Sequence, residues 1–79
     1  MTEDQKAVSL ILDLLWASKK VPRTLQWIET EMRLAGRRCE LPTLLEVLLD
    51  GGMIATERDG LGIRRYTITD KGKEALDEL

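Results

Sequence analysis

The chain has 79 residues, 43 % of them apolar, with 12 Lys and Arg against 14 Asp and Glu for a net charge of −2. A chain of this length buries roughly 60 % of its unfolded surface, enough for one modest core, so residues 1–79 are expected to form a single domain. One cysteine and no histidine leave no disulfide, no zinc cluster and few of the usual groups for acid–base or nucleophilic chemistry. A protein that is not an enzyme and needs no cofactor or metal is the expectation. No apolar run is long enough to span a membrane, and the polar start "MTEDQKAV" does not resemble a signal peptide, which points to the cytoplasm and to no membrane partner.

Residues 4–18, "DQKAVSLILDLLWAS", predict a first helix. Val8, Ile11, Leu12 and Leu15 repeat at i, i+3, i+4 and i+7, and Asp4 is placed to cap the start. Leu10, Leu14 and Trp16 widen the apolar stripe, so the helix is either deeply buried or shares a face with a partner; a homodimer through this helix is the candidate. Trp16 and Trp27 are assigned to the core, because no phenylalanine supplies bulk.

The stretch "KKVPR" breaks the chain, since Pro22 disfavours helix at Val21. Thr24 caps a second helix over 25–35, with Leu25, Ile28 and Met32 inward and Trp27, Leu34 and Ala35 beside them. Gly36 ends it as a left-handed cap. A third helix opens at Leu41-Pro42, runs to Asp50 with Leu41, Leu44, Leu45 and Leu48 inward, and stops at Gly51-Gly52. "MIATER" and "IRRYTIT" then read as two strands joined by the tight turn Asp59-Gly60-Leu61-Gly62. Tyr66 and Ile68 share one strand face; Ile63, Arg65 and Thr67 take the other. Thr69 caps a last helix over 70–79, with Ala75, Leu76 and Leu79 inward.

Charge follows this organisation. Lys19, Lys20, Arg23, Arg33, Arg37 and Arg38 against Glu29 and Glu31 give residues 19–38 a net +4. Glu40, Glu46 and Asp50 give residues 39–50 a net −3, and Arg58, Arg64 and Arg65 against Glu57 and Asp59 make the hairpin +1. Lys19, Lys20 and Arg23 read as a solvated loop. Cys39 reads as an inert thiol, although Arg37 and Arg38 beside it would act to lower its pKa.

Three stretches carry a resemblance: "LLEVLLDGGMI" at 44–54, "TERDGLGIRRYTIT" at 56–69 and "YTITDKGKEAL" at 66–76. Together they resemble a winged helix-turn-helix domain over residues 24–76, similar to MarR-like and PadR-like bacterial regulators. The resemblance implies a mainly α fold with a small β hairpin (α+β): three helices, a two-stranded wing and a short C-terminal helix. It implies that Tyr66 and Ile68 pin the wing to the core and that Gly72 lets the last helix sit close against its neighbour. It also implies double-stranded DNA as partner and a role in transcription regulation. The third helix would enter the major groove with Pro42, Thr43, Glu46 and Val47, and Arg58, Arg64 and Arg65 would hold the backbone from the wing. Arg37 and Arg38, in the turn before the third helix, would reach phosphate. The sequence departs from that pattern in having no Lys or Arg on the third helix, so guanine readout lacks its usual donor. The alternative is a protein-interaction module that docks a partner through Val47 and Leu49.

Overall fold

The computed structural model describes residues 2–19, 21–37 and 39–78. Arg38, expected on phosphate, and Leu79, expected in the core, lie outside the described residues. Helix α1 spans Glu3–Ala17, strand β1 Arg23–Thr24, helix α2 Leu25–Leu34, helix α3 Leu41–Asp50, strands β2 and β3 Ile54–Arg58 and Arg64–Ile68, and helix α4 Asp70–Glu78. The fold is α+β: four helices and an antiparallel sheet in the order β1-β3-β2.

The cap of α1 differs from expectation. Thr2, not Asp4, is the N-cap: its hydroxyl accepts from the Gln5 N–H, while the Gln5 side chain accepts from the Thr2 N–H. This reciprocal pair satisfies two backbone donors at once, whereas Asp4, the second residue of the helix, adds only favourable charge. At the far end Ser18 is buried but satisfied, donating to the Leu14 carbonyl and accepting from Arg23 Nε at 3.1 Å.

The sheet has three strands rather than the two expected. Just after Pro22, Arg23 lies opposite Tyr66 and Thr24 opposite Arg65. A two-residue strand is too short to show alternation, so only its pairing reveals it. Thr24 then caps α2 through a bond from the Trp27 N–H. Helix α2 closes at Gly36, whose φ of +72° suits a residue without Cβ. The Arg37 N–H reaches the Met32 carbonyl and the Gly36 N–H the Arg33 carbonyl, the two bonds of a Schellman ending. The same pair of bonds ends α3, from Met53 to Leu48 and from Gly52 to Leu49.

The core is one cluster. Ala7, Ile11, Leu12 and Leu15 of α1 meet Ile28 and Met32 of α2, the four expected leucines of α3, and Ile54, Tyr66 and Ile68 of the sheet. Each fully buried aliphatic side chain contributes about 1.5–3 kcal/mol. Leu10 and Leu14, with Leu25, Trp27, Ala75 and Leu76, are half-buried against this cluster. Leu34 and Trp16 depart from expectation. Leu34 is 77 % exposed at the end of α2. Trp16 is 43 % exposed, and its ring lies beneath the Lys73 ammonium, 4.8 Å from the centroid. A large ring can sit half in water when a cation covers its face, so bulk alone does not put tryptophan inside.

Helix α4 meets the sheet at one joint. The Thr69 hydroxyl donates to the Gly52 carbonyl at 2.6 Å and accepts from the Gly72 N–H at 3.1 Å. The Thr69 N–H bonds the Met53 carbonyl. Gly72 is buried against that carbonyl: a Cβ at position 72 would overlap the Met53 oxygen and stand 2.8 Å from Ile68 Cγ1. Gly72→Ala is therefore expected to destabilise the protein by about 1–3 kcal/mol through overpacking. Helix propensity alone favours alanine by about 1 kcal/mol, so the sign of the change separates the two effects. The denaturation midpoint reads it; a midpoint that rises would show α4 free to move off the sheet.

Candidate nucleic-acid interface

The outward stripe of α3 follows from its inward one. With Leu41, Leu44, Leu45 and Leu48 buried, Pro42, Thr43, Glu46, Val47 and Asp50 are left exposed. Val47 is 56 % exposed, whereas Leu49 packs half-buried on the core and offers less to a partner.

The hairpin register sorts the three arginines. Ile54 pairs with Ile68, Thr56 with Tyr66 and Arg58 with Arg64. Opposed residues share a face, and alternate residues along a strand do too. Arg58 and Arg64 therefore lie on the face that carries Tyr66 and Ile68 into the core, but beyond the core's edge. Arg65, one residue on, lies on the reverse face with Glu57 opposite it. Sequence proximity groups Arg64 with Arg65; the sheet groups Arg64 with Arg58.

Each of these cations has a partner within the chain. Arg64 Nη1 stands 4.0 Å from Glu46 Oε1, which brings the root of β3 beside the outward stripe of α3. Arg58 donates to the Gly62 carbonyl at 2.9 Å, a neutral acceptor that leaves its charge uncompensated. Arg65 Nε donates to Asp59 Oδ2 at 3.0 Å. Arg37 stands 3.5 Å from Glu3 of α1. The structure thus brings Thr43, Glu46, Arg58 and Arg64 to one region and places Arg65 behind it.

Asp59 organises the tip. Its Oδ1 accepts from the Leu61 and Ile63 N–H groups at 2.8 and 3.1 Å, while its backbone exchanges further bonds with Ile63 and Gly62. An aspartate followed by glycine in a short turn is the sequence signal for such a loop, though not for its grip on Arg65. These bonds, first Ile63, then Leu61, then the Arg65 side chain, hold the Asp59 carboxyl below its ordinary pKa of 3.8. Cys39 runs the other way. Partial burial, then the charges of Asp4 and Glu40, push its thiol up, so the lowering expected from Arg37 is not what prevails. The thiol shares a surface cleft with Met32, Arg33, Arg37, Leu41 and Pro42.

Compared with family models, curated proteins and solved structures, the chain matches none. Among the described residues no cluster of His, Cys, Asp or Glu is placed to hold a metal ion, and no helix is long and apolar enough to cross a membrane. The α3 stripe and the adjoining hairpin face offer hydrogen-bond donors, the carboxylates of Glu46 and Asp50, a threonine methyl and an exposed valine.

The depressed Asp59 pKa makes the tip pH-dependent. A carboxylate favoured by folding stabilises above its ordinary pKa, and the contribution is lost as pH falls through the folded value. The Leu61 and Ile63 amide resonances are expected to shift together with a midpoint below 3.8. Asp59→Asn should abolish that titration. Amides that titrate separately, or at the ordinary value, would show that Oδ1 does not bind both.

Proposed function

We propose that the chain is a winged helix-turn-helix domain that binds duplex DNA as a small transcriptional regulator. In this reading α3 enters the major groove and the hairpin is the wing. The observation that carries it is the pairing of Arg58 with Arg64 on the hairpin face that adjoins the outward stripe of α3. Two cations beside an exposed helix fit a duplex whose groove and flanking backbone are met together. The order α1-β1-α2-α3-β2-β3-α4 supports the same reading.

The roles divide by chemistry. Arg58 and Arg64 meet phosphates, and Arg37 reaches a phosphate near the start of α3. Phosphate contacts supply affinity and register without reading sequence. Thr43 offers its methyl to thymine, and Glu46 accepts from a cytosine amino group. Arg65, turned to the reverse face and held by Asp59, supports the hairpin rather than the contact.

A second reading has its own observation. Val47 is exposed on a helix without cations, as a protein-docking helix would present it. Binding to DNA separates the two.

Fluorescence anisotropy of a labelled duplex at low and near-physiological salt tests the proposal. The logarithm of affinity is expected to fall linearly with the logarithm of salt concentration. Arg58→Ala should flatten that line by about 0.9, one phosphate's worth, for random and preferred sequences alike. Arg65→Ala should leave the slope in place. No binding at low salt would overturn the DNA reading and favour docking through Val47, and equal losses for Arg58→Ala and Arg65→Ala would overturn the division of roles between the two arginines.

A further inference from the structure

The contact between Arg64 and Glu46 joins the hairpin to α3 at 4.0 Å, with side chains 44 % and 65 % exposed. Both reach it from elements fixed by the core: Glu46 lies between the buried Leu45 and Leu48, and Arg64 precedes the buried Tyr66 by two residues on the same strand face. The pair is open to water, so it is weak and readily exchanged. Its neighbours do not share it. Arg58, across the hairpin, is taken up by the neutral Gly62 carbonyl, and Arg65 and Asp59 pair on the reverse face. Glu46 is thus the carboxylate paired with the cation that stands between hairpin and helix.

We infer that Glu46 is an internal stand-in for phosphate that sets the selectivity of this face. The inference rests on the DNA reading above and deepens it. In the free protein the Glu46 carboxylate holds the guanidinium that a backbone phosphate would hold. When a duplex docks, the phosphate takes Arg64, and Glu46 is left facing the groove. Where a cytosine amino group lies within reach, the carboxylate gains a donor. Where none does, an unpaired anion stands beside the phosphates, and binding is weakened. The face then discriminates by penalising arbitrary sequence rather than by adding contacts to a preferred one. The absence of Lys and Arg from α3, awkward for a helix that must approach a polyanion, follows from the same logic. A cation there would offset the penalty at every sequence.

A double-mutant cycle on the full chain tests this: wild type, Glu46→Gln, Arg64→Ala and the double variant, each against a duplex pool of randomised sequence across a salt series. Glu46→Ala accompanies them, because glutamine brings a donor of its own and alanine brings none. Both changes at position 46 are expected to tighten binding to the pool on the order of threefold to tenfold at low salt, and to steepen the salt slope by about 0.9. Arg64→Ala should cost more in the Glu46→Gln background, where the guanidinium is no longer shared, than in wild type. A pair that merely clips the hairpin to α3 would lower the melting temperature on substitution and leave binding weaker or unchanged. Weaker or unchanged binding, an unchanged slope or additive costs overturn the inference. If wild type still binds and still depends on Arg58, the DNA reading survives that result. Failure of every protein to bind at low salt overturns both.

Discussion

The contact on which the rest of the structure depends is the close approach of Gly72 to the Met53 carbonyl. That carbonyl lies at the entry to β2 and accepts from Thr69, at the exit of β3. Thr69 in turn bonds the Gly52 carbonyl beyond the end of α3 and starts α4. One joint therefore ties the end of α3, both ends of the hairpin's base and the first turn of α4. With the base fixed, Ile54 faces Ile68 and the register runs outward without choice. A slip of one residue would turn Tyr66 and Ile68 to water and move Arg64 to the reverse face. The position of a charge beside α3 is in this sense set by a glycine about eight residues away.

The second constraint is electrostatic. Arg37, Arg58, Arg64 and Arg65 each have a partner inside the chain, and three of those partners are carboxylates. Exposed ion pairs contribute about 0–1 kcal/mol each, so they neither hold the fold together nor forbid exchange with an outside anion. What they change is the field. On a protein with net charge −2, a cation matched by a carboxylate attracts a polyanion far less than a bare one. Arg58, whose partner is neutral, keeps its charge and so stands apart from the others. The distinction is one of partner type, and it cuts across the sequence's apparent cluster of Arg64 and Arg65.

Much of the scaffold was legible in the sequence, because local signals were strong. The leucine spacing of α3 gave its bounds and buried face. Asp59-Gly60-Leu61-Gly62 gave the hairpin, and Gly36 gave the end of α2. What escaped was nonlocal or too short. Strand β1 has two residues and exists only by pairing with β3. The Arg37 partner, Glu3, is distant in sequence, so no local signal points to the pair. Asp4 attracted the cap because an acidic residue at a helix start is common; the reciprocal bonds of Thr2 and Gln5 decided it. The size of Trp16 points inward, but Lys73, nonlocal in α4, covers its ring and leaves it half in water. The sequence names the candidate residues but not their arrangement. Alternation along β3 already separated Arg64 from Arg65, but which face met α3 depended on the joint at Gly72.

The apolar surplus of α1 follows from the same packing. Leu10 and Leu14 widened its stripe beyond one face, which invited a second copy as partner. In the structure both are half-buried against the core, and α4 packs against α1. Lys73 of α4, itself paired with Asp77, lies over Trp16 of α1 and closes that seam with a cation rather than another apolar chain. A helix that serves two neighbours within one chain needs apolar residues on two faces. Packing within the chain thus accounts for Leu10 and Leu14 on that stripe, while Trp16 keeps 43 % of its surface open. Apolar side chains are also exposed elsewhere, at Leu34 ending α2, at Val47 on α3 and at Leu61 and Ile63 along the hairpin tip. Of these, Val47 follows Glu46 on α3 and Ile63 precedes Arg64 on the hairpin, so both stand next to the residues of the exchangeable ion pair.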